Sequence, residues 1–145
     1  MGIDLPSTCI EETRPLVLVV DDDPDVVMFL EAIFARHYPN VRVQSAIHGF
    51  EGGVTLARMT TGPDLIMLDI RMDDINGIEV CRIIRQDLEF KSHIIGVTVS
   101  REPEEIMGLL AAGAEEIIYK PLTTDVVLET LKSILPYPGD QRSEI

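Results

Sequence analysis

Five short apolar runs, rich in β-branched residues, are spread along the chain and separated by longer segments of mixed polarity. They are Leu16–Val20, Val41–Ser45, Leu65–Leu68, Ile94–Val97 and Ile117–Tyr119. The first, third and fourth runs are almost wholly apolar rather than alternating, which is typical of strands covered on both faces. The pattern therefore predicts five strands, of which three are buried on both sides.

The segments between these runs repeat apolar residues at the spacing of a helix. The clearest stripes are Val26, Leu30, Ile33 and Phe34, then Ile78, Cys81, Ile84 and Leu88, then Val127, Leu131, Ile134 and Leu135. Segments 49–60 and 103–112 show a weaker helical pattern. Asp23 followed by Pro24 is typical of an N-cap and first turn, and Pro136 is a stop signal after the last stripe.

The order strand–helix, repeated five times, determines the fold class. Right-handed crossovers between successive strands produce a parallel sheet with helices on both faces. We therefore expect an α/β fold: a doubly wound, flavodoxin-like (βα)5 sandwich with five parallel strands, carrying its ligand site at the carboxyl ends of the strands. The expected domain spans 15–135, with a flexible leader at 1–14 and a tail or truncated linker at 136–145.

Composition narrows the classes of partner. The 145 residues include 25 acidic and 12 basic side chains, a formal net charge of −13. Such a chain repels the nucleic acid backbone, so we expect no direct nucleic acid partner, whereas cations and basic protein surfaces are suitable. Two cysteines, Cys9 and Cys81, form no disulfide framework, and no signal peptide or membrane-spanning run is present in the sequence. We expect a cytoplasmic protein with no membrane contact.

Chemically active side chains follow four of the predicted strands. Asp21, Asp22 and Asp23 follow the first strand, Asp69 the third, Thr98 the fourth and Lys120 the fifth. The fold brings these strand ends to one edge of the sheet, where closely spaced carboxylates require a compensating cation. Mg²⁺ prefers oxygen ligands of this kind and leaves room for a phosphate oxygen. The set predicts a Mg²⁺-dependent site that accepts a phosphoryl group, because that transfer depends on positioning and charge neutralisation.

Taken singly, each of these residues has an ordinary structural interpretation. The acids before Pro24 could simply cap a helix, with Asp23 as the cap itself. An aspartate such as Asp69 after a strand is most often a turn residue, and Thr98 is a good strand former. The functional interpretation depends on all four strand ends carrying such residues together.

The chain from about Pro15 to Leu135 resembles the receiver domain of two-component response regulators. The motifs that carry the resemblance are Val19–Pro24, Asp64–Met72, Asn76–Val80, Val97–Thr98, Ala112–Ala114 and Lys120–Pro121, in that order and at matching spacings. The resemblance implies that Asp69 is the phosphoacceptor, which attacks the phosphorus of a kinase phosphohistidine to form an acyl phosphate. It further implies that Thr98 bonds the phosphoryl group and that Lys120, preceding a cis peptide bond, pairs with a phosphoryl oxygen.

The same resemblance implies a set of metal ligands and partners. Asp22 would bind Mg²⁺ directly, Asp21 largely through water, and Asp69 and the backbone carbonyl of Arg71 would complete the protein ligands. The implied partners are a sensor histidine kinase or phosphotransfer protein and a downstream protein target. A homodimer through the fourth helix, fifth strand and fifth helix is a further possibility in this family.

Three positions depart from the family pattern. Asp73, followed by Asp74, stands where a proline is common, and its charge could either weaken phosphoryl binding or strengthen metal attraction. Val99 replaces the usual small residue after the threonine and should crowd access to an acyl phosphate. Ile117 replaces the usual aromatic residue three positions before the lysine, so the sequence does not predict the common aromatic readout of phosphorylation; Tyr119 is not the matching position.

Two other functions use related features. A haloacid-dehalogenase-like phosphohydrolase also has a strand-end aspartate, Mg²⁺ and a lysine, but needs a second aspartate two residues after the first, where Arg71 stands. A nucleotide or flavin binder of the same fold would need a glycine- or hydroxyl-rich loop after the first strand, where acids stand instead. We therefore expect a signalling phosphoacceptor rather than an enzyme.

Overall fold

A computed structural model describes residues 14–135. Within them, five strands alternate with five helices: β1 Leu16–Val20, α1 Pro24–His37, β2 Arg42–Ala46, α2 Gly49–Ala57, β3 Leu65–Leu68, α3 Gly77–Arg82, β4 His93–Thr98, α4 Pro103–Ala112, β5 Glu116–Tyr119 and α5 Thr124–Lys132. A π-helical turn, Ile83–Asp87, extends α3. The expected alternation is confirmed. The tail expected at 136–145 lies outside the described residues, as does the leader expected at 1–14 except for its last residue.

All five strands belong to one parallel sheet in the order β2-β1-β3-β4-β5. The doubly wound, flavodoxin-like fold predicted from the sequence is therefore confirmed. The burial of the strands follows this order: every residue of β3 is buried, whereas the edge strand β2 exposes Gln44 and Ser45. Continuous apolar sequence thus marks the interior strands, because both of their faces are covered by helices.

Alternate side chains of each strand enter two separate cores. In β1, Val17 and Val19 face the layer formed by α1 and α5, while Leu18 and Val20 face the layer formed by α2, α3 and α4. The first core is closed by residues such as Phe34 and Leu131, and the second by residues such as Ile84 and Leu109. Cys81 is buried in the second core, as its position in the helical stripe predicted.

Element ends differ from the predicted ones where hydrogen bonding outweighs the apolar pattern. Val41 precedes β2 because its N–H donates to the carbonyl of Tyr38 and closes a turn. At the other end of the chain α5 stops at Lys132, and Ile134 and Leu135 pack against the core beyond the helix. The predicted stop signal, Pro136, lies outside the described residues. Among residues 14–135, no helix is long and apolar enough to cross a membrane.

The start of α3 lies unusually close to the end of β3. The Gly77 N–H donates to the carbonyl of Ile70 at 2.7 Å, and a Cβ added to Gly77 would lie 2.0 Å from the carbonyl oxygen of Asp69. Asn76 caps the helix by accepting the N–H of Ile78 at 2.7 Å. Only glycine therefore permits the helix to begin against the residue that ends the central strand.

We predict that Gly77→Ala lowers the free energy of unfolding by about 1–3 kcal/mol, because the new methyl group overlaps rigid backbone. Gly53 in α2 is the matched control, since a Cβ there meets nothing within 4 Å. Gly53→Ala should leave stability unchanged or raise it by up to about 1 kcal/mol, as alanine favours helix over glycine. Urea unfolding measures both variants, and equal stabilities would contradict the steric argument.

Candidate functional site

The three consecutive acids that follow β1, 21–23, differ in burial and in hydrogen bonding. Asp21 is buried, and its Oδ1 accepts the N–H of Asp23 at 2.9 Å. Asp23 is exposed and caps α1 by accepting the N–H of Asp25 at 3.0 Å, which confirms its predicted capping role. Asp22, between them, is half-buried and is not needed by the helix. The capping requirement therefore accounts for one of the three acids and leaves two for another purpose.

Asp69 continues the line of β3 next to this turn. Its N–H donates to the carbonyl of Val20 at 3.0 Å, so the backbone hydrogen bonds of β3 and β1 fix where it lies. Its side chain is only 4% exposed. Carboxylate oxygens of Asp21, Asp22 and Asp69 all lie within 4.8 Å of one another. The structure thus brings together three of the predicted site residues from two adjacent strands.

Lys120 joins this cluster from the end of β5. Its ammonium nitrogen lies 3.3 Å from Oδ2 of Asp69, to which it donates a hydrogen bond. The same nitrogen lies 2.9 Å from Oδ2 of Asp21, so Lys120 forms an ion pair with both carboxylates. The Lys120–Pro121 peptide bond is cis, as expected. One positive charge is therefore shared between two buried negative charges.

This sharing does not compensate for the burial of the carboxylates. Burial raises the pKa of Asp21 from 3.8 to about 6, despite the N–H of Asp23 and the ammonium of Lys120, which both lower it. Burial also raises the pKa of Asp69, against the lowering effect of Lys120. Burial by itself lowers the pKa of Lys120, but Asp21 and Asp69 outweigh it and raise that pKa. The cluster favours additional positive charge.

The donor set fits a hard divalent cation. Oδ2 of Asp21 is buried and contacts the ammonium of Lys120, but no other described residue donates a hydrogen bond to it, so it keeps a lone pair for a ligand bond. Asp22 is oriented by the N–H of Asp73, which donates to its Oδ2 at 3.3 Å. Three carboxylates with oxygen donors suit Mg²⁺, which takes one or two carboxylates together with water and phosphate oxygens. Arg71 lies two residues after Asp69, and its N–H donates to Oδ1 of Asp69 at 3.3 Å.

Thr98 lies at the same edge but is engaged elsewhere. It ends β4 opposite Tyr119, and its carbonyl accepts the N–H of Lys120 at 2.9 Å. Its side chain is fully buried, and its hydroxyl accepts the N–H of Ser100 at 3.0 Å. Among residues 14–135 no hydrogen bond joins this hydroxyl to Asp69. The structure places Thr98 beside the site and not in direct contact with the carboxylate.

Glu105 is a residue that the motif analysis missed. It lies in the first turn of α4, where its carboxylate accepts hydrogen bonds from the Arg71 guanidinium at 3.1 Å and from the Ser100 hydroxyl. An acid in the first turn of a helix is commonly explained by the helix dipole alone. Only the three-dimensional position of α4 shows that Glu105 links the segments following Asp69 and Thr98.

Asp73 stands where a proline is common, and it and the next residue, Asp74, have different roles. Asp74 accepts the N–H groups of Gly49 and Phe50 at 3.0 and 2.8 Å, and these bonds, that of Phe50 first, lower the pKa of Asp74. The carboxylate of Asp74 is therefore used to cap α2. Asp73 contributes a backbone N–H to Asp22, a bond that a proline cannot form. The substitution thus supports the acidic cluster through the backbone.

The two other departures lie directly after β4 and within β5. Val99 is 60% exposed and lines an open groove of about 390 Å³ that reaches Lys120 and continues along Val26 and Phe29 of α1. Ile117 is half-buried and packs against the second core. Tyr119 instead carries the guanidinium of Arg101 over its ring, 4.3 Å from the centroid.

Comparison with known proteins gives a consistent family. A family model described as the response regulator receiver domain matches residues 17–132. The polar-differentiation response regulator DivK of Brucella ovis is 29% identical over 124 residues, which cover 85% of this chain and 97% of that protein. The transcriptional regulatory protein SpaR of Bacillus subtilis is 33% identical over 105 residues, covering 72% of this chain and 44% of SpaR.

Solved structures show the same fold. A CheY-like response regulator receiver domain protein from Methanospirillum hungatei superposes with a TM-score of 0.76 at 26% identity, covering 92% of this chain and all of that one. A two-component response regulator from Clostridium difficile superposes with a TM-score of 0.74, covering 83% of this chain and 95% of that one, and at 23% identity this likeness supports the fold alone.

The raised pKa of Asp21 predicts a pH dependence of stability in metal-free protein. A carboxyl that binds its proton more tightly when folded favours folding below its unfolded pKa of 3.8, and this contribution is lost as pH rises through about 6. The full loss corresponds to about 3 kcal/mol. The Lys120 ion pair adds no slope in this range, because the pKa of Lys120 lies above it both unfolded and folded.

Urea unfolding in EDTA between pH 4 and 7 measures this slope, and Asp21→Asn should reduce it. Asp69 contributes in the same direction, so the variant retains part of the decline. Asp87→Asn, at an exposed position in the π-helical turn, serves as the control and should keep the full slope. A slope in Asp21→Asn as steep as in the control would show that Asp21 does not carry the effect.

Proposed function

The chain belongs to the response regulator receiver domain family, and from this premise we propose that it accepts a phosphoryl group on Asp69 in a Mg²⁺-dependent reaction. It is a receiver domain of a two-component response regulator, a signalling module rather than an enzyme acting on a released substrate. The observation that carries the proposal is that Asp69, directly after the central strand β3, lies in one cluster with Asp21 and Asp22 and receives a hydrogen bond from Lys120.

In the proposed reaction a carboxylate oxygen of Asp69 attacks the phosphorus of a phosphohistidine. The O–P bond of an acyl phosphate forms as the P–N bond breaks, and the donor imidazole leaves with the electron pair. Lys120 remains an ammonium group at neutral pH, because the neighbouring carboxylates raise its pKa. It lies within reach of a phosphoryl oxygen on Asp69 and would neutralise part of the charge that develops there.

We assign the metal to Asp21, Asp22 and Asp69, with the backbone carbonyl of Arg71 as a further ligand. When bound, Mg²⁺ supplies the charge neutralisation that one lysine cannot provide for three carboxylates and a phosphoryl group. Two observations support this assignment: Oδ2 of Asp21 is buried with a lone pair left for a ligand bond, and the N–H of Asp73 holds the carboxylate of Asp22 in place.

Thr98 would stabilise the phosphorylated state. Its backbone carbonyl accepts the Lys120 N–H, and its hydroxyl accepts the N–H of Ser100. No hydrogen bond joins this hydroxyl to Asp69 among the described residues, so the side chain would have to move toward Asp69 to donate to a phosphoryl oxygen. The segment after β4, held to the hydroxyl through the Ser100 N–H, would then rearrange. Phosphorylation is thereby transmitted to the start of α4.

The groove beside Lys120 suits the approach of the phosphodonor. Apolar side chains of α1 and the exposed Val99 line it, and its end is the lysine of the site. We propose that a sensor histidine kinase or phosphotransfer protein docks there. A basic surface on that partner would complement the net charge of −13.

The proposed output surface is formed by α4, β5 and α5. It exposes the apolar side chains of Met107, Leu110 and Val126. We propose that a downstream protein target, or a second copy of the chain in a homodimer, contacts this surface after phosphorylation. The whole process is proposed to take place in the cytoplasm, without direct contact to nucleic acid.

The comparisons do not support a haloacid-dehalogenase-like phosphohydrolase. Its mechanism needs an acid–base aspartate two residues after the nucleophile, and here that position holds Arg71, whose guanidinium is paired with Glu105 at 3.1 Å. No second carboxylate is therefore available at that point to activate water against the acyl phosphate.

We predict that acetyl phosphate labels the protein only in the presence of Mg²⁺ and that Asp69→Asn abolishes the label. Intact-protein mass spectrometry detects the added phosphoryl group. Asp87→Asn, an exposed acid remote from the strand ends in the sequence, is the matched control and should label like the parent protein. A label that persists in Asp69→Asn would exclude Asp69 as the acceptor.

A further inference from the structure

A continuous series of hydrogen bonds runs from Asp69 to Thr98 around the outside of the site. The N–H of Arg71 donates to Oδ1 of Asp69, and the side chain of Arg71 donates to Glu105. The Ser100 hydroxyl donates to the same oxygen of Glu105, and the Ser100 N–H donates to the Thr98 hydroxyl. The proposed phosphoacceptor Asp69 and Thr98 are thus connected through the carboxylate of Glu105 on α4.

Glu105 is placed to hold α4 against two loops at once. It lies in the first turn of the helix, while Arg71 belongs to the segment after β3 and Ser100 to the segment after β4. Ser100 is buried, and its hydroxyl also accepts the N–H of Glu102 at 3.3 Å, so it is held on three sides. The hydrogen bonds from Ser100, and then from Arg71, lower the pKa of Glu105, which keeps it ionised at neutral pH.

The two contacts of Glu105 differ in how easily they can be broken. The ion pair with Arg71 is solvent-accessible, with 51% and 30% of the two side chains exposed, and such pairs are weak. A phosphoryl group on Asp69 would place a larger negative charge near the backbone of Arg71 and would offer additional oxygen acceptors to its planar guanidinium. The contact with Ser100 is disturbed independently, because movement of Thr98 toward the phosphoryl group would displace the Ser100 N–H that is bonded to its hydroxyl.

We propose that Glu105 is a latch that holds α4 in the unphosphorylated position and opens when a phosphoryl group on Asp69 draws away Arg71 while movement of Thr98 displaces Ser100. The inference rests on the proposed function, since it requires the acyl phosphate on Asp69. It assigns the coupling between site and output surface to a charged group on α4. That coupling does not need an aromatic side chain at Ile117.

The next residue along the same loop supports this assignment. Arg101 follows Ser100 directly, and its guanidinium covers the ring of Tyr119 on β5. A movement of Ser100 would also shift Arg101 and could expose the Tyr119 ring that the guanidinium covers. Release of the latch would change which side chains are exposed on α4 and on β5.

Hydrogen–deuterium exchange of the whole chain, with and without beryllofluoride and Mg²⁺ as an acyl phosphate mimic, tests the latch. In the parent protein, the mimic should raise the exchange rate of amides in the first turns of α4 about tenfold, the effect of losing a charge-assisted hydrogen bond. In Glu105→Gln these amides should exchange faster before the mimic is added, and the mimic should add little. Arg71→Ala, which leaves the Ser100 contact in place, should give an intermediate result.

Glu104→Gln is the matched control, because Glu104 is exposed in the same turn and makes no hydrogen bond or ion pair with another described residue. It should behave like the parent protein. Binding of the mimic is followed separately by ¹⁹F NMR. Absence of a bound adduct would overturn the proposed function, and the latch with it. A bound adduct with no change in α4 protection, or equal behaviour of Glu104→Gln and Glu105→Gln, would overturn the latch alone.

Discussion

Three carboxylates meet one ammonium group at the buried edge of a parallel sheet, and this imbalance of charge is the constraint on which the rest of the structure depends. Burial raises the pKa of both Asp21 and Asp69, so Lys120 does not fully compensate them. A group that binds there must bring positive charge, or bring charge that a metal ion neutralises. The same imbalance that makes the site unfavourable when empty of cations makes it suitable for a metal and a phosphoryl group.

The fold holds these charges together by using backbone groups that the sheet leaves available. Asp69 is fixed by its N–H bond to Val20, and the close approach of Gly77 keeps the turn after it compact. Asp22 is held by the N–H of Asp73. The cores on both faces bury the interior strands apart from Leu16 and His93, the first residues of β1 and β4, so the carboxyl ends of the strands have little freedom to separate.

Much of this arrangement could be predicted from the sequence because parallel sheets follow simple rules. Unbroken apolar runs marked the interior strands, helical stripes marked the covering helices, and the doubly wound topology brought the four strand ends to one edge. Asp23 was recognisable as a cap because capping is a local interaction with the next residues. Each of these inferences depends on short-range pattern or on general topology.

The features that could not be predicted depend on how segments far apart in the sequence are positioned relative to one another in the fold. The function of Glu105 requires the position of α4 relative to two loops, and the capping of α2 by Asp74 joins residues 24 and 25 positions apart. The π-helical turn after Arg82 and the early end of α5 likewise follow from packing, since the apolar stripe continues through both. Sequence spacing carries no information on such contacts.

The most direct test of the shared acidic site is a calorimetric titration of Mg²⁺ into the unphosphorylated protein at neutral pH. One Mg²⁺ ion should bind per chain, and the melting temperature should rise because the ion relieves the repulsion among the carboxylates. Asp22→Ala should weaken this binding at least about tenfold, as expected for loss of a direct ligand, whereas Asp87→Asn should leave it unchanged. Absence of binding in the parent protein, or equal affinity in Asp22→Ala, would contradict the account.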